Sequence, residues 1–362
     1  MTAITANTYS KGERLSMKVT IKDIARLADV SIATVSRTLN MKEDVRSETR
    51  DRILAIAKEL NYQPNMMAKG LMSKHVYSIG IIIPDITNTY FAEIFRGVEE
   101  IASAEGYLSV FYNTDYNVEN ERNALTLLKA GRVDGLIMQM SNRVTDECKS
   151  MAAMGYPIVL LGQFLEGVQC PMVGCNNFAS AYNMVEYLIR CGHRDIAHVG
   201  GHRETRTGIQ RMQGYQSAMD NYGIPVRPQW SVATNYGLED AYDQTMAMLS
   251  HDPLPTAIFA ANDSIAAGCY RAIWDRGLRV PDDISLAGHD DTSIASIMRP
   301  HLTTMRQQKR EIGRIAARKL ITGIRLGKPM QTDIVIVPTE LVERESVRNL
   351  SKTPPKQGEK AP

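Results

Sequence analysis

The chain has 362 residues, 44% of them hydrophobic, with 42 Lys and Arg against 40 Asp and Glu and a net charge of +2. That length exceeds one ordinary core and predicts two or three globular units. The small total charge does not by itself suggest nucleic acid, but residues 1–75 hold 13 basic against 8 acidic side chains and the remainder 29 against 32, so the basic excess is concentrated at the N-terminus. No uninterrupted apolar stretch approaches 18 residues and the N-terminus has no apolar signal core, which argues against a membrane span or secretion. Cys148, Cys170, Cys175, Cys191 and Cys269 show no CxxC spacing and no adjacent His pair. They are expected to be free thiols in a reducing cytoplasm, with no metal site and no cofactor.

Residues 1–17 are polar, lack periodicity and are expected to form a disordered tail. A headpiece over 18–63 follows. Ile21, Ile24, Ala25 and Ala28 recur at helical spacing, and Val35 and Leu39 do so in a second short segment, so two helices joined by a tight turn are predicted. Ser31 is placed to cap the second helix by accepting from the Thr34 amide. At about 100° per residue, Ala33, Ser36, Arg37 and Asn40 share a face turned away from Val35 and Leu39. Arg37 can offer a bidentate fork to guanine O6 and N7, and the hydroxyls of Ser31, Thr34 and Ser36 suit phosphate oxygens. The competing interpretation is an ordinary two-helix corner of a soluble bundle. A third helix, Ser47 to Leu60, supplies Ile53, Ile56, Ala57 and Leu60 to a small three-helix core.

Asn61-Tyr-Gln-Pro64 breaks this pattern, and residues 64–76 are expected to be a hinge helix and linker. Asn65 to Met72 could form two helical turns capped by Asn65, but so short a segment containing Gly70 is marginal in water and needs a partner to form. From Tyr77 short apolar runs alternate with amphipathic stretches: Ile79–Ile83, then Thr89–Ala104; Leu108–Tyr112, then Glu119–Ala130; Gly135–Met138; Ile158–Leu161, then Ala179–Arg190; Ile196–Val199, then Gln210–Tyr222; Leu238–Leu249, leading into Thr256–Ala260; Ala266–Asp275; and Ile284–Ala287. Continuous apolar strands between helices mean parallel sheets covered on both faces, and the span requires two of them. Residues 349–362 are biased toward Lys, Pro and Gly and are expected to be a second disordered tail.

Polar residues just past the strands mark the carboxyl ends where open parallel sheets form their ligand crevice. Asp85, Asn113, Gln163, Asn262, Asp263 and Asp290 all stand there, with Tyr90, Phe91 and Tyr236 available to stack on a ligand face. Each polar residue singly could be a turn or cap residue, which is the more ordinary role for Asp85 and Asn88; together they favour a cleft. No Walker A sequence, GxSxG elbow or HExxH pair occurs, and nothing else marks a catalytic constellation.

The segments VTIKDIARLADVSIATVSRTLN, NYQPNMMAKGL, GIIIPDITNTYFAEIFRGVEE, YLIRCGHRDIAHVGG, FAANDSIAAGCYRAIWDRGLRVPDDISLAGHDD, RPHLTTMRQ and TELVERES, in that order from Lys18 to Val347, resemble the lactose/galactose-repressor family of bacterial transcription regulators. The resemblance implies an α/β protein with a helix-turn-helix headpiece and two doubly wound parallel-sheet subdomains of periplasmic-binding-protein type. It implies an effector-binding and dimerisation domain over 77–348, with an N-subdomain over about 77–176 and 305–332 and a C-subdomain over about 177–304 and 333–348. The expected partners are double-stranded, pseudo-palindromic operator DNA, a small-molecule effector such as a sugar or related metabolite, and a second copy, as a dimer or a dimer of dimers. Ile32, Ala33 and Arg37 fall on base-reading positions. Asn65, Ala68 and Lys69 fall in the DNA-contacting hinge, and Leu71 on its minor-groove wedge. Lys69 stands where many relatives have Arg. Tyr90, Phe91, Arg211, Tyr236, Asn262 and Asp290 match ligand-contacting positions, Arg211 being an anchor for a carboxylate, phosphate or sugar hydroxyl.

The chain departs from the family pattern at Gly162-Gln163-Phe164, where an Asp-Arg pair is common, at Cys175-Asn176-Asn177, where Asp-Asn is usual, and at His289, which replaces an aromatic residue. The catabolite-control subgroup also tends to lack the charged pair, so a regulator that senses a partner protein is the alternative. A solute-binding receptor without regulatory role would match the body of the chain but not its basic headpiece or its lack of a signal peptide.

Overall fold

The computed structural model describes residues 19–39, 44–62, 75–140, 145–162 and 167–352. Contacts divide the chain into two units at Val76/Tyr77. In the first, α1 (Ile21–Ala28), α2 (Ile32–Leu39) and α3 (Ser47–Glu59) enclose a core of Ile24, Ala25, Ala28, Val35, Ile53 and Ala57, with Leu39, Ile56 and Leu60 packed at its margin. A capping box starts α1: Thr20 binds Asp23 through both its amide (3.0 Å) and its hydroxyl (2.7 Å), satisfying donors that a helix start leaves open. Asp29 ends α1 in the left-handed conformation, φ 50°. Asp tolerates this better than most residues, and it turns the chain sharply into α2.

The second unit carries two six-stranded sheets. The first contains β1 (Ser78–Ile83), β2 (Leu108–Asn113), β3 (Gly135–Met138), β4 (Ile158–Leu161), β5 (Met172–Gly174) and β11 (Ile334–Ile336), in the order β11-β5-β4-β3-β1-β2. The second contains β6 (Ile196–Gly200), β7 (Ser231–Ala233), β8 (Ala257–Ala260), β9 (Ser285–Asp290), β10 (Thr303–Gln307) and β12 (Thr339–Val342), in the order β12-β10-β9-β8-β6-β7. Every pairing is parallel except β10 with β12. The central strands are buried throughout, β3, β4, β6, β8 and β9 at every position, as strands covered on both faces must be.

Helices α4 (Thr89–Ala104), α5 (Val118–Lys129), α6 (Thr145–Ala153) and α12 (Lys309–Leu326) belong with the first sheet. Helices α7 (Asn177–Arg190), α8 (Arg206–Asn221), α9 (Leu238–Met248), α10 (Asp263–Asp275) and the short α11 (Ser293–Ile297) belong with the second. α4 and α12 approach through glycines: a Cβ at Gly97 would overlap the Arg310 carbonyl, and one at Gly313 the Ile94 carbonyl.

Strand pairing moves two of the expected subdomain boundaries. Residues 305–307 continue β10 beside β9, so the chain passes to the first subdomain at Gln308 rather than at 305. Residues 334–336 pair with β5, so the return falls after Ile336 rather than at 333. Residues 349–352, expected in the tail, are held to the end of α7: Leu350 donates its amide to the Cys191 carbonyl at 2.7 Å, within a 3-10 turn over Leu350–Lys352. α7 and α8 begin earlier than the periodicity predicts because Asn176 and Thr205 cap them, accepting from the Ala179 and Gly208 amides. The five cysteines are buried and free. Among the described residues no helix is long and apolar enough to cross a membrane, and no cluster of His, Cys, Asp and Glu could hold a metal ion.

Candidate functional site

The first unit exposes one face of α2. Val35 and Thr38 are buried, whereas Ser31, Ile32, Ala33 and Arg37 are exposed and Thr34 and Ser36 half-buried. The Ser31 hydroxyl accepts from the Thr34 amide at 3.1 Å and meets the Thr34 hydroxyl at 2.9 Å, fixing the start of the helix. Arg37 lies 3.5 Å from Asp44, both side chains more than half exposed. A solvent-facing pair of this kind is worth little, so the guanidinium is cheaply released to another acceptor. Asn40, Asn65, Ala68, Lys69 and Leu71 lie outside the described residues.

In the second unit a small cavity of about 30 Å³ lies between the two subdomains. Six residues singled out from the sequence, Tyr90, Phe91, Arg211, Tyr236, Asn262 and Asp290, stand together on its wall. Asp85 does not: its carboxylate accepts from the Thr87 amide (2.8 Å) and hydroxyl (2.7 Å), closing a local turn. Gln163 lies outside the described residues. Tyr116, Gln139, Asn177 and Thr207 also face the cavity, as does Asn88, whose carbonyl caps α4 by accepting from the Tyr90 amide at 3.0 Å. An isolated polar residue in a turn or at a cap gives no periodic signal, and the Asn-Asn pair at 176–177 was legible only as a departure from a pattern.

Arg211 and Asp290 are each 4% exposed and form an ion pair at 3.4 Å. The guanidinium also donates to Asn177 Oδ1 at 3.0 Å and to the Ala261 carbonyl. Burial opposes ionisation of Asp290, but Arg211 and the hydrogen bond from His289 prevail and hold its carboxyl below the usual range. Asp290 Oδ1 accepts from Gln307 Nε2 at 2.7 Å and His289 Nδ1 at 2.8 Å, while Ser180 Oγ lies 2.7 Å from His289 Nε2. Burial and the Arg211 charge push His289 down to about 4, so near neutrality the ring is uncharged, donating to Asp290 and accepting from Ser180. Ser180 and His289 are fully buried and off the cavity wall. This Ser-His-Asp row therefore positions Asp290 and presents no nucleophile to a ligand. Asp290 itself sits at φ 109°, strained for a non-glycine residue. Lys309, at the start of α12, donates to its carbonyl and to that of Asp291.

Side chains also make contacts across the cleft. Tyr90 of the first subdomain donates to Gln307 Oε1 at 3.2 Å. Tyr116, on the turn between β2 and α5, stacks on Tyr236 (centroids 5.9 Å, planes 15° apart) and on His202 (6.0 Å, 12°) of the second subdomain. Burial raises the phenols of Tyr90 and Tyr116 well above their ordinary value, so both remain neutral donors. With Arg211 offset by Asp290, the described residues of the wall carry no net charge.

A helix-turn-helix headpiece joined to a two-lobed body with a polar cleft defines a DNA-binding transcription regulator with an effector-binding domain. Residues 20–65 match the model of bacterial regulatory proteins of the lacI family, and residues 185–347 that of a periplasmic binding protein-like domain. Catabolite control protein A of Priestia megaterium is 35% identical over 333 residues, covering 92% of this chain and all of that protein. The HTH-type transcriptional repressor PurR of Histophilus somni is 36% identical over 334 residues, covering 91% and 99%. The lac repressor dimer bound to operator and the anti-inducer ONPF superposes with a TM-score of 0.81 at 29% identity, covering 92% and 100%. The chain belongs to the lacI family of bacterial regulatory proteins, and these relatives are transcription regulators rather than enzymes.

Proposed function

We propose that the protein is a repressor that binds a pseudo-palindromic operator as a homodimer and changes its affinity when a small, neutral, polyhydroxylated molecule fills the cleft. The observation that carries this reading is the buried Arg211–Asp290 pair at the cavity wall. An anion would have to compete with Asp290 for Arg211, whereas a ligand bearing hydroxyls can donate to the carboxylate and accept from the guanidinium with no change in net charge. Tyr90, Phe91, Tyr116 and Tyr236 provide apolar ring faces for the ligand's C–H surface. A second copy is supported by large apolar side chains left exposed on the second unit, among them Leu108 on edge strand β2 (65%) and Trp274 on α10 (67%). Arg37 reads a base in the major groove, and Leu71 is assigned the wedge at the operator centre. The ligand alters the spacing of the two N-terminal subdomains, and with it the simultaneous engagement of both headpieces.

The test is a thermal-shift screen with neutral sugars, their phosphates and their acids, followed by operator titration with each stabilising compound. A neutral sugar that stabilises the native chain and not Arg211→Met supports the proposal, and selective stabilisation by sugar phosphates or acids overturns it. One observation favours a second reading, in which a partner protein supplies the signal: the cleft is already bridged by Tyr116 and by the Tyr90–Gln307 bond. On that reading none of the small molecules shifts the melting temperature.

A further inference from the structure

At the end of β9 the backbone turns through two residues of positive φ, Asp290 at 109° and Asp291 at 52°. Such a conformation persists where surrounding contacts impose it, and it concentrates at ligand clamps and switch regions. From the second subdomain, Asp263 accepts from the Thr292 amide (2.6 Å) and hydroxyl (3.0 Å), and Arg306 and Arg344 bind the Asp291 carboxylate at 2.7 and 2.6 Å. From the first subdomain comes Lys309, whose ammonium donates to the Asp290 carbonyl and, at 2.8 Å, to that of Asp291.

Lys309 stands in a costly place. It is 8% exposed, and as the first residue of α12 it brings a positive charge to the positive end of the helix dipole. A buried ammonium must be offset by hydrogen bonds and opposite charge. Here the two carbonyls do this together with the Asp290 carboxylate, which the Lys309 charge helps to keep ionised. A neutral or acidic residue would serve the helix better, so the position points to a role in joining the subdomains. The connection runs on into the first subdomain: a Cβ at Gly97 of α4 would overlap the Arg310 carbonyl, and one at Gly313 the Ile94 carbonyl. α12 and α4 therefore meet backbone to backbone, and α4 carries Tyr90 and Phe91 to the cavity wall. Asp290 is tied to these helices through its carboxylate, by way of Gln307 and Tyr90, and through its carbonyl, by way of Lys309. Lys309 itself is not on the cavity wall.

We propose that Lys309 is a positioning residue, a strut between the subdomains that holds the Asp290–Asp291 turn in place and keeps the cleft closed. A molecule that engages the Asp290 carboxylate pulls on the residue whose carbonyl Lys309 grips. A shift there reaches α12 and α4 without Lys309 touching the molecule. The consequence for DNA rests on the reading of the cleft as the site that controls operator affinity, whereas the strut itself does not.

The full chain carrying Lys309→Met, which keeps the apolar stem and removes the donors, is compared with the native chain and with Lys309→Arg, which restores donors for both carbonyls. The readout is the rate at which N-ethylmaleimide alkylates each cysteine, followed by peptide mass spectrometry. Cys175 lies on the crossing from β5 to α7, 2% exposed and 3.6 Å from Asn177 of the cavity wall, and reports opening of the cleft. Cys148 and Cys269, buried in the cores of the first and second subdomains, report general loosening. Lys309→Met should raise the Cys175 rate at least tenfold and leave Cys148 and Cys269 within twofold, while Lys309→Arg stays within threefold of the native chain at all three. If Lys309→Met does not fold, Lys309→Gln, which keeps one donor group, should give at least a threefold rise confined to Cys175. An unchanged Cys175 rate, equal acceleration at all three thiols, or a rise in Lys309→Arg as large as in Lys309→Met would each overturn the proposal. Titration of an operator selected from random duplexes separates the strut from the reading of the cleft. Lys309→Met should shift the dissociation constant at least tenfold with no small molecule added. An unshifted constant beside an accelerated Cys175 would uphold the strut and refute control of DNA binding by the cleft.

Discussion

Replacing Arg211 with Met removes the charge from the cleft while keeping most of the side-chain stem. Asp290 is then a carboxylate only 4% exposed that retains the donors Gln307 and His289 but has lost its counter-charge. Breaking a buried pair from one side costs about 3–5 kcal/mol, which for a unit of this size lowers the melting temperature by on the order of 10 °C. The loss should depend on pH. In the native protein the Asp290 carboxyl is held below its unfolded value, so its contribution is present above the unfolded pKa and is lost as pH falls through the folded one. Without Arg211 the burial that opposes ionisation prevails, the folded pKa rises above the unfolded value, and protonation relieves the variant as pH falls. The deficit of Arg211→Met should therefore narrow between pH 7 and pH 5. Adding Asp290→Asn should recover at least half of it, because Asn can still accept from Gln307 and His289. Urea unfolding followed by the fluorescence of Trp230 and Trp274 measures all three proteins. A cost below about 1 kcal/mol, or the same cost at both pH values, would refute the claim that this pair governs the cleft's electrostatics.

Arg37→Ala should cost about 1–3 kcal/mol at a specific site and relax preference at one base pair per half-site, as read by titrating operators substituted at that position; equal losses on specific and random DNA would reduce Arg37 to a phosphate contact. Gly97→Ala and Gly313→Ala, which force a methyl into the facing helix backbone, should each destabilise by about 1–3 kcal/mol or more, measurable by thermal unfolding. His198 is held down to about 4 in the fold against about 6.5 when unfolded. The unfolded chain thus takes up a proton in that interval that the folded one refuses, and stability falls as pH drops from 6.5 toward 4. His198→Phe should remove up to about 1.4 kcal/mol per pH unit of that slope, which unfolding curves between pH 7 and 4.5 would show.

How far each feature could be read from sequence follows from how local its signal is. α1 to α3 follow from apolar spacing and caps, and the central strands from unbroken apolar runs such as Ile79–Ile83. Edge elements were silent: β11 and β12 are three and four residues long, and α6 carries little amphipathic pattern in TDECKSMAA. Asp290, Asn262 and Arg211 were accessible because strand ends and a motif marked them. Tyr116 was not, since its role depends on a turn at φ 55° that carries it across to Tyr236, a contact 120 residues distant in sequence. Asp85 has the same strand-end signature as Asp290, but Thr87 two residues on offers both an amide and a hydroxyl, and the local turn takes the carboxylate.

The central claim is that the headpiece reads a two-fold site and that the cleft controls it. Selection of random duplexes by the full chain, followed by titration of the winning site with and without a neutral sugar that stabilises the protein, tests both parts. The account predicts enrichment of a pseudo-palindrome, a change of at least tenfold in its dissociation constant on adding the sugar, and no change in Arg211→Met. Recovery of an asymmetric site, or of a symmetric one whose affinity such a sugar leaves unmoved, would contradict it.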